Sequence, residues 1–473
     1  MSSRVVRRTK IVCTVGPSSS DPKTIRRIVH LVDVFRMNFS HGDSASHLRD
    51  LAIIRKEALR AKRTAAILQD LPGPKIRIGK MQDGSADLVR GTQFLLTTSE
   101  VLGDQKRASV NYPDLLESVE RGDLLHLADG LISLRVEGKV KDGVLCAVLT
   151  GGTLSSGKGV NAPGVKMKME YPTSADTVHL KFGLAHGVDF VAASFVRSAS
   201  DVRSLKKLMP KEGPMLIAKI EKREAVQNFN EILSEADGIM VARGDLGIEV
   251  PIETVPAIQK NIISKSNNAG KPVVVATQML ESMVNFTVPT RAEVTDVATA
   301  VLDGTDAVML SDETAVGKYP AEATKMLDRI ARSAERTFSS QPSSLTESAN
   351  GDTAEAIGRA ACMLADYVGA KAIVAPTQTG STAKRVAMYR PKQPIIALCT
   401  QGRTARQMRI YRGVIPLVIR QARTTDWLFA RADQAALELG FAKKGERIVV
   451  TSGTPGINGT TNVIKVSVIG SRA

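Results

Sequence analysis

The sequence predicts an α/β protein: a parallel (β/α)8 barrel, a small β-barrel domain inserted into it, and a C-terminal α/β domain. Three observations lead there. Eight short β-rich runs alternate with amphipathic helical stretches in the first two thirds of the chain. One long gap in that rhythm is filled with turn signals. Past a serine-rich stretch, helix and strand alternate again.

The barrel strands are expected at residues 9–15, 32–39, 65–70, 190–195, 215–221, 238–242, 272–278 and 307–310. Helical stretches at 23–31, 200–208 and 252–268 lie between them. A doubly wound open sheet is the alternative arrangement. Between the third and fourth runs, Gln82-Asp83-Gly84, Arg121-Gly122-Asp123, Lys141-Asp142-Gly143 and Gly151-Gly152 mark turns, and the segments 131–136 and 144–149 alternate as short strands do. The barrel is therefore expected over residues 1–71 and 171–337, the inserted β domain over 72–170, a linker over 338–352 and the C-terminal domain over 353–473. In that last part, strands are expected at 370–375, 394–398, 447–451 and 463–468.

Composition narrows the function. The 473 residues are 43% hydrophobic and 24% charged, enough for several ordinary cores. No apolar run approaches the roughly 20 residues a membrane span needs, and the run 11–15 is too short for a signal-peptide core. Cys13, Cys146, Cys362 and Cys399 are widely spaced and read as free thiols of a reducing cytoplasm, neither a zinc site nor a disulfide framework. The formal charge is +16, and residues 1–70 hold fourteen Lys/Arg against six Asp/Glu, a field that favours anionic ligands. Aromatic residues are only 4%, which argues against a nucleic-acid binder that stacks bases.

In such a barrel the reacting groups come from the C-terminal ends of the strands. At the second, strand periodicity puts Arg36, Asn38 and Ser40 on one face and Met37 and Phe39 on the other. That face suits an anionic, oxygen-rich ligand, or an arginine paired with a neighbouring carboxylate. The fifth carries Lys219 and Glu221 on one face of an apolar run, either as site residues or as a buried ion pair. The sixth gives Arg243-Gly244-Asp245, with a glycine that permits close backbone approach. Glu221 and Asp245 from adjacent strand ends would make a two-carboxylate site for a hard cation such as Mg²⁺. The seventh adds Thr277-Gln278. Of the six His, none has zinc-motif spacing, and only His41, beside Ser40, falls near these groups.

Two motifs are discounted. Gly152 to Lys158 fits G-x-x-x-x-G-K, but Gly159 stands where a P-loop has Ser or Thr, and Gly157-x-Gly159-x-x-Ala162 lacks a strand–turn–helix context. Thr290-Arg291-Ala292-Glu293 is a helix capping box.

The constellation resembles the pyruvate kinase family. The resemblance lies in residues 9–17, 36–42, 70–77, 158–164, 217–222, 240–247, 276–283 and 289–298, and in 402–414 and 452–458 of the last domain. It implies Mg²⁺-dependent (or Mn²⁺-dependent) phosphoryl transfer from phosphoenolpyruvate to ADP, giving pyruvate and ATP. It also implies a cytoplasmic homotetramer with no nucleic-acid or membrane partner. By matching, Glu221 and Asp245 hold the metal, and Lys219 and Arg36 meet the phosphoryl group. Gly244, Asp245 and Thr277 hold the three-carbon unit, with Thr277 on the proton route. Asn38, Ser40, His41, Arg77 and Lys158 fall where the family contacts nucleotide. Thr377, Thr379, Gly380, Ser381 and Thr382 fall where members bind phosphorylated effectors. Many members bind K⁺ at the equivalents of Asn38, Ser40, Asp70 and the Leu71 carbonyl, and carry Glu where this chain has Lys75. The lysine ammonium is expected to replace that ion, so K⁺ is not required. A metal-dependent lyase on the same barrel is the competing enzyme reading.

Overall fold

The residues that alternate along each predicted run sort into two apolar clusters, and that sorting builds the barrel. Val12, Val34, Leu68, Ala192, Ile217, Met240, Val274 and Met309 face the lumen. Their neighbours Ile11, Phe35, Ile67, Val191, Leu216, Ile239, Val273 and Val308 face the surrounding helices. The computed structural model describes residues 7–337, 352–422, 424–453 and 461–471. In it, Lys10–Val15, Val34–Asn38, Ala66–Leu71, Phe190–Ala193, Met215–Ile220, Gly238–Ala242, Val273–Ala276 and Ala307–Leu310 close into an eight-stranded barrel. The pairings between them are parallel throughout. Each predicted run overlaps one of these strands, so the open-sheet alternative falls.

Four strands stop short of the expectation at their C-terminal ends, which are at the mouth; the fourth stops at Ala193, before Phe195 takes a φ of 56°. The second strand stops at Asn38, whose Oδ1 accepts the Ser40 N–H at 3.1 Å, so Ser40 lies on a turn and not on the strand face. The fifth stops at Ile220, just before Glu221. The seventh stops at Ala276, because Thr277 and Gln278 take φ of 68° and 54°.

The inserted β module has a seven-stranded sheet ordered Ile76–Arg77, Gly159–Asn161, Leu124–Leu127, Ile132–Val140, Gly143–Thr150, Gln93–Thr97 and Arg107–Ser109. A two-stranded ribbon, Gly152–Ser155 with Ser85–Leu88, shares its core through Leu88 and Leu154 packed with Phe94, Leu134 and Cys146. The would-be P-loop lies across strands Gly152–Ser155 and Gly159–Asn161, with no helix after it.

The C-terminal sheet runs Val414–Val418, Ile395–Cys399, Ile373–Thr377, Arg447–Ser452 and Val463–Val468, the last antiparallel to its neighbour. Val414–Val418 was not among the expected strands; its Pro416 is tolerated because this strand lies at the edge. Most of the expected linker, residues 338–351, and much of 452–458 lie outside the described residues.

The floor of the barrel is stapled by a fourfold device. Asp33, Asp189, Asp237 and Asp306 each immediately precede an even-numbered barrel strand. Each carboxylate accepts the N–H of the preceding strand: Ile11 at 3.0 Å, Ile67 at 2.9 Å, Leu216 at 2.8 Å and Val273 at 3.1 Å. Each also takes a cation, and three of these come from the C-terminal domain: Arg409 on Asp33 at 2.5 Å, Arg406 on Asp189 at 2.7 Å and Arg390 on Asp306 at 2.6 Å. Lys206 serves Asp237 at 2.7 Å. The lumen cluster continues through this floor into Ile373, Ile395 and Val414 of the last domain.

Removing one partner of a buried pair leaves a charge without compensation. Asp306→Ala, which strands Arg390, is expected to destabilise the chain by about 3–5 kcal/mol in urea unfolding, with partial recovery when Arg390→Leu is added. An unchanged midpoint would contradict the staple.

Candidate active site

Lumen-facing positions above the apolar layers are polar, and five of them interlock. Arg36 Nε donates to Asp70 Oδ2 at 2.6 Å, and its Nη1 donates to Thr14 Oγ1 at 2.9 Å. Asp70 Oδ1 accepts from Lys219 Nζ and from Ser194 Oγ, each at 3.2 Å. Lys219 Nζ also donates to Ser194 Oγ at 2.7 Å. The carboxylate of Asp70 is 1% exposed, and Arg36 and Lys219 are 10% exposed at the mouth. Burial pushes the Asp70 carboxyl up, yet the Lys219 and Arg36 charges outweigh it and hold the group below its ordinary value. Burial likewise pulls the Lys219 ammonium down, but Asp70 and Glu221 together raise it above the ordinary lysine value. The cation is thus locked on.

Glu221 lies just past its strand, with Oε2 accepting the Phe195 N–H at 2.7 Å. Its Oε1 is buried 2.9 Å from Lys219 Nζ, an ion-pair distance without hydrogen-bond geometry, and it has no hydrogen-bond partner. Burial raises the Glu221 carboxyl, and the nearby Asp245 charge adds to the rise against the pull of Lys219. Two neighbouring carboxylates, one with an orphaned oxygen, are a donor set that a divalent cation fits. Mg²⁺ takes one or two carboxylates and completes its shell with water and substrate oxygens. Among the described residues no group of three or more His, Cys, Asp or Glu could hold a metal, so this two-carboxylate arrangement depends on substrate oxygens.

Asp245 lies in the first turn of helix Arg243–Glu249, which begins where the sixth strand ends. Gly244 N–H donates to Thr277 Oγ1 at 2.8 Å, and that hydroxyl donates to the Ala276 carbonyl at 2.6 Å. A β-branched residue at φ 68° carries strain of about 1–3 kcal/mol. Arg243 holds it there: Nη2 donates to the Thr277 carbonyl at 2.7 Å while Nη1 grips Asp296 at 2.7 and 2.6 Å.

The remaining predicted residues divide. Asn38 is half-buried beside Asp70, while His41 is exposed on the turn after it. Arg77 and Lys158 are on the inserted module: Arg77 is on a strand, and Lys158 directly precedes the strand Gly159–Asn161 that pairs with it through Gly159. Arg77 Nη1 donates to the Gly157 carbonyl at 3.0 Å, and Lys158 is exposed. Leu71 is buried at the end of the third strand. Lys75 is not a solvent-facing lysine: its Nζ lies 3.3 Å from Asp245 Oδ1, 4.0 Å from Asp129 Oδ1 and 5.7 Å from the centre of the Phe195 ring. Between module and barrel, an open cleft is lined by His126, Asp129, Arg243, Gly244 and Gln278 among others.

The group at 377–382 is far along the chain, in the C-terminal domain. Thr377 Oγ1 accepts the Gly380 N–H at 2.8 Å, and Thr382 pairs with Thr461 at 2.9 Å. Gly380, at φ 89°, caps helix Ser381–Met388 with no side-chain bond, so neither Ser381 nor Thr382 is its cap; Thr379 is exposed and Ser381 half-buried. Sequence reasoning missed Thr14 and Ser194, and it named Arg243 without giving it a role. The first two could have been found by asking which lumen-facing positions are level with Arg36 and Asp70.

A (β/α)8 barrel with buried cations and carboxylates gathered at its mouth is built as barrel enzymes are. Comparison with known proteins makes the class specific. Residues 6–324 match the family model described as pyruvate kinase, barrel domain, and residues 355–467 that described as pyruvate kinase, alpha/beta domain. The pyruvate kinase of Geobacillus stearothermophilus is 45% identical over 475 residues, covering 98% of this chain and 80% of that one. Pyruvate kinase 2 of Synechocystis is 43% identical over 476 residues, covering 99% and 80%. The crystal structure of a pyruvate kinase from Cryptosporidium parvum superposes with a TM-score of 0.91 at 37% identity, covering 98% of this chain and 96% of that one. The chain belongs to the pyruvate kinase family and is a phosphotransferase.

The Thr277 hydroxyl is the acceptor for a half-buried N–H. Thr277→Val, which keeps the shape and removes the acceptor, is expected to cost about 1–3 kcal/mol in thermal or urea unfolding, whereas Thr277→Ser keeps the bond. Equal losses in both variants would place the cost elsewhere.

Proposed function

We propose that this enzyme transfers the phosphoryl group of phosphoenolpyruvate to ADP, giving pyruvate and ATP, and that it does so without K⁺. The observation that carries the reading is the buried Arg36–Asp70–Lys219 chain ending beside Glu221 and Asp245. Lys219 spends two of its three N–H groups on Asp70 and Ser194, which leaves one for an incoming anion. With Arg36 it puts fixed positive charge where the three oxygens of the phosphoryl group pass in flight, in a site of low dielectric.

Glu221 and Asp245 would hold the divalent cation, Mg²⁺ or Mn²⁺, which supplies further charge neutralisation to substrate oxygens when bound. The Gly244 and Asp245 N–H groups and the Thr277 hydroxyl hold the carboxylate of the three-carbon unit, which takes over the bonds that the Gly244 N–H and the Thr277 hydroxyl make within the site in its absence. The P–O bond to the enol oxygen breaks as a bond to the ADP β-phosphate oxygen forms. The enolate left behind takes a proton at carbon, and Thr277 is placed to relay it. The inserted module, residues 72–170, is the lid: Arg77 and Lys158 meet the nucleotide from above, and Asn38, Ser40 and His41 from the barrel. Thr379 and Ser381 are the groups of the 377–382 loop open to a phosphorylated effector. A homotetramer in the cytoplasm follows from kinship; among the described residues no helix is long and apolar enough to cross a membrane.

Independence from K⁺ is supported by where Lys75 points. Its ammonium stands at the mouth against Asp245, so a fixed cation is already present. Asp70, one of the groups that would bind K⁺, is already engaged by Arg36, Lys219 and Ser194.

Pyruvate formation from phosphoenolpyruvate and ADP with Mg²⁺ is expected at equal rates in Na⁺ and K⁺, and Lys219→Ala is expected to lose about 100-fold or more. Lys75→Glu is expected to make the rate K⁺-dependent. Strong stimulation of the wild type by K⁺ would overturn the monovalent reading, and absence of pyruvate formation would overturn the reaction.

A further inference from the structure

A buried carboxylate outside the proposed catalytic group joins three parts of the molecule. Glu249 ends the helix Arg243–Glu249 that carries Asp245, and its side chain is 2% exposed. Its Oε1 accepts from Lys222 Nζ at 2.6 Å and from Asn161 Nδ2 at 3.0 Å. Lys222 follows Glu221 directly, and its ammonium also lies 6.0 Å from the centre of the Phe195 ring. Asn161 belongs to the inserted module, where it ends strand Gly159–Asn161 and pairs with His126.

We propose that Glu249 is the docking point of the lid, a positioning residue that fixes the height of Arg77 and Lys158 above the barrel mouth. The inference rests on the reading of the mouth given above. Strand Gly159–Asn161 is the direct neighbour of Lys158 and pairs with the strand bearing Arg77. Holding its last residue therefore sets where both cations stand. The same short helix receives two further lid contacts: Lys75 on Asp245, and the Gly130 turn over Ile248, where an added Cβ would come 3.6 Å from Ile248 Cγ1.

The electrostatics suit a reversible dock. Lys222 neutralises Glu249 whether or not the lid is down, so opening the lid does not strand a buried charge. Asn161 adds one neutral donor. Its own Oδ1 is buried with no hydrogen-bond partner in the closed arrangement, a cost that weakens the closed state. At this dock one charge-assisted bond is opposed by one orphaned acceptor, a balance that suits nucleotide exchange.

The test uses the full-length enzyme and both substrates. Asn161→Asp sets a second carboxylate against Glu249, and Glu249→Gln removes the first. Asn161→Asp is expected to raise the KM for ADP about tenfold while the KM for phosphoenolpyruvate stays within about twofold and the thermal midpoint is unchanged. Adding Glu249→Gln to Asn161→Asp is expected to restore the ADP value, because the amide can donate to the new carboxylate. If Asn161→Asp fails to fold, Asn161→Ala is read the same way, without the rescue. An unchanged KM for ADP, or equal losses for both substrates with a lowered midpoint, would overturn the docking role. Full activity of Lys219→Ala in the same assay would instead overturn the reading of the mouth, so the two failures are distinguishable.

Discussion

The Asp70 carboxylate is the group on which the mouth of this barrel depends. It is buried at the end of the third strand, and a charge there is tolerable only because Arg36, Lys219 and Ser194 surround it. The dependence runs both ways. Arg36 and Lys219 are held almost as deeply, and without Asp70 the second has only Glu221 to balance it. Four neighbouring barrel strands deliver these groups in a rising series: Arg36 is one lumen-facing step below Asn38, Asn38 and Ala192 flank Asp70 in register, and Ser194 and Lys219 are one step above Ala192 and its partner Ile217. Apolar lumen residues beneath them keep out the water that would otherwise screen the charges.

The opposite end of the barrel uses the same chemistry for a different purpose. Four aspartates tie neighbouring strands together through backbone N–H groups, and arginines of the C-terminal domain close three of them from below. Cations above the apolar layers are aimed at ligand space; those below are consumed by the fold. That division explains how so basic a chain confines its reactive charge to one site. It also joins the C-terminal domain to the barrel through the strands themselves, at Asp33, Asp189 and Asp306, and not through a loose surface contact.

Much of this was legible in the sequence because strand periodicity carries the barrel directly. Arg36 opposite Met37, and Lys219 level with Glu221, needed no partner to be placed on the lumen side. What could not be read was pairing between distant residues. Asp70 looked like one possible ligand among several, whereas the structure makes it the hub between Arg36 and Lys219. Thr277 was expected on a strand, but its left-handed backbone is held by Arg243, which lies 34 residues from Thr277 and 53 from Asp296 along the chain. The four floor aspartates each looked like an ordinary polar residue before an apolar run, since only closure of the barrel brings their shared role into view. Lys75 was placed at the mouth by resemblance, and its approach to Asp245 needed the lid to be seen against the barrel.

The most direct measurement is the rate of phosphoryl transfer by Asp70→Asn, beside its thermal midpoint. This variant keeps the size of the side chain and leaves Glu221, Asp245 and Thr277 in place, but removes the charge that locks Arg36 and Lys219. If those cations act only while Asp70 holds them, the rate falls about 100-fold or more even where the chain remains folded. A folded Asp70→Asn enzyme turning over at the wild-type rate would show that the buried carboxylate is not the hub, and the physical basis proposed for the site would be wrong.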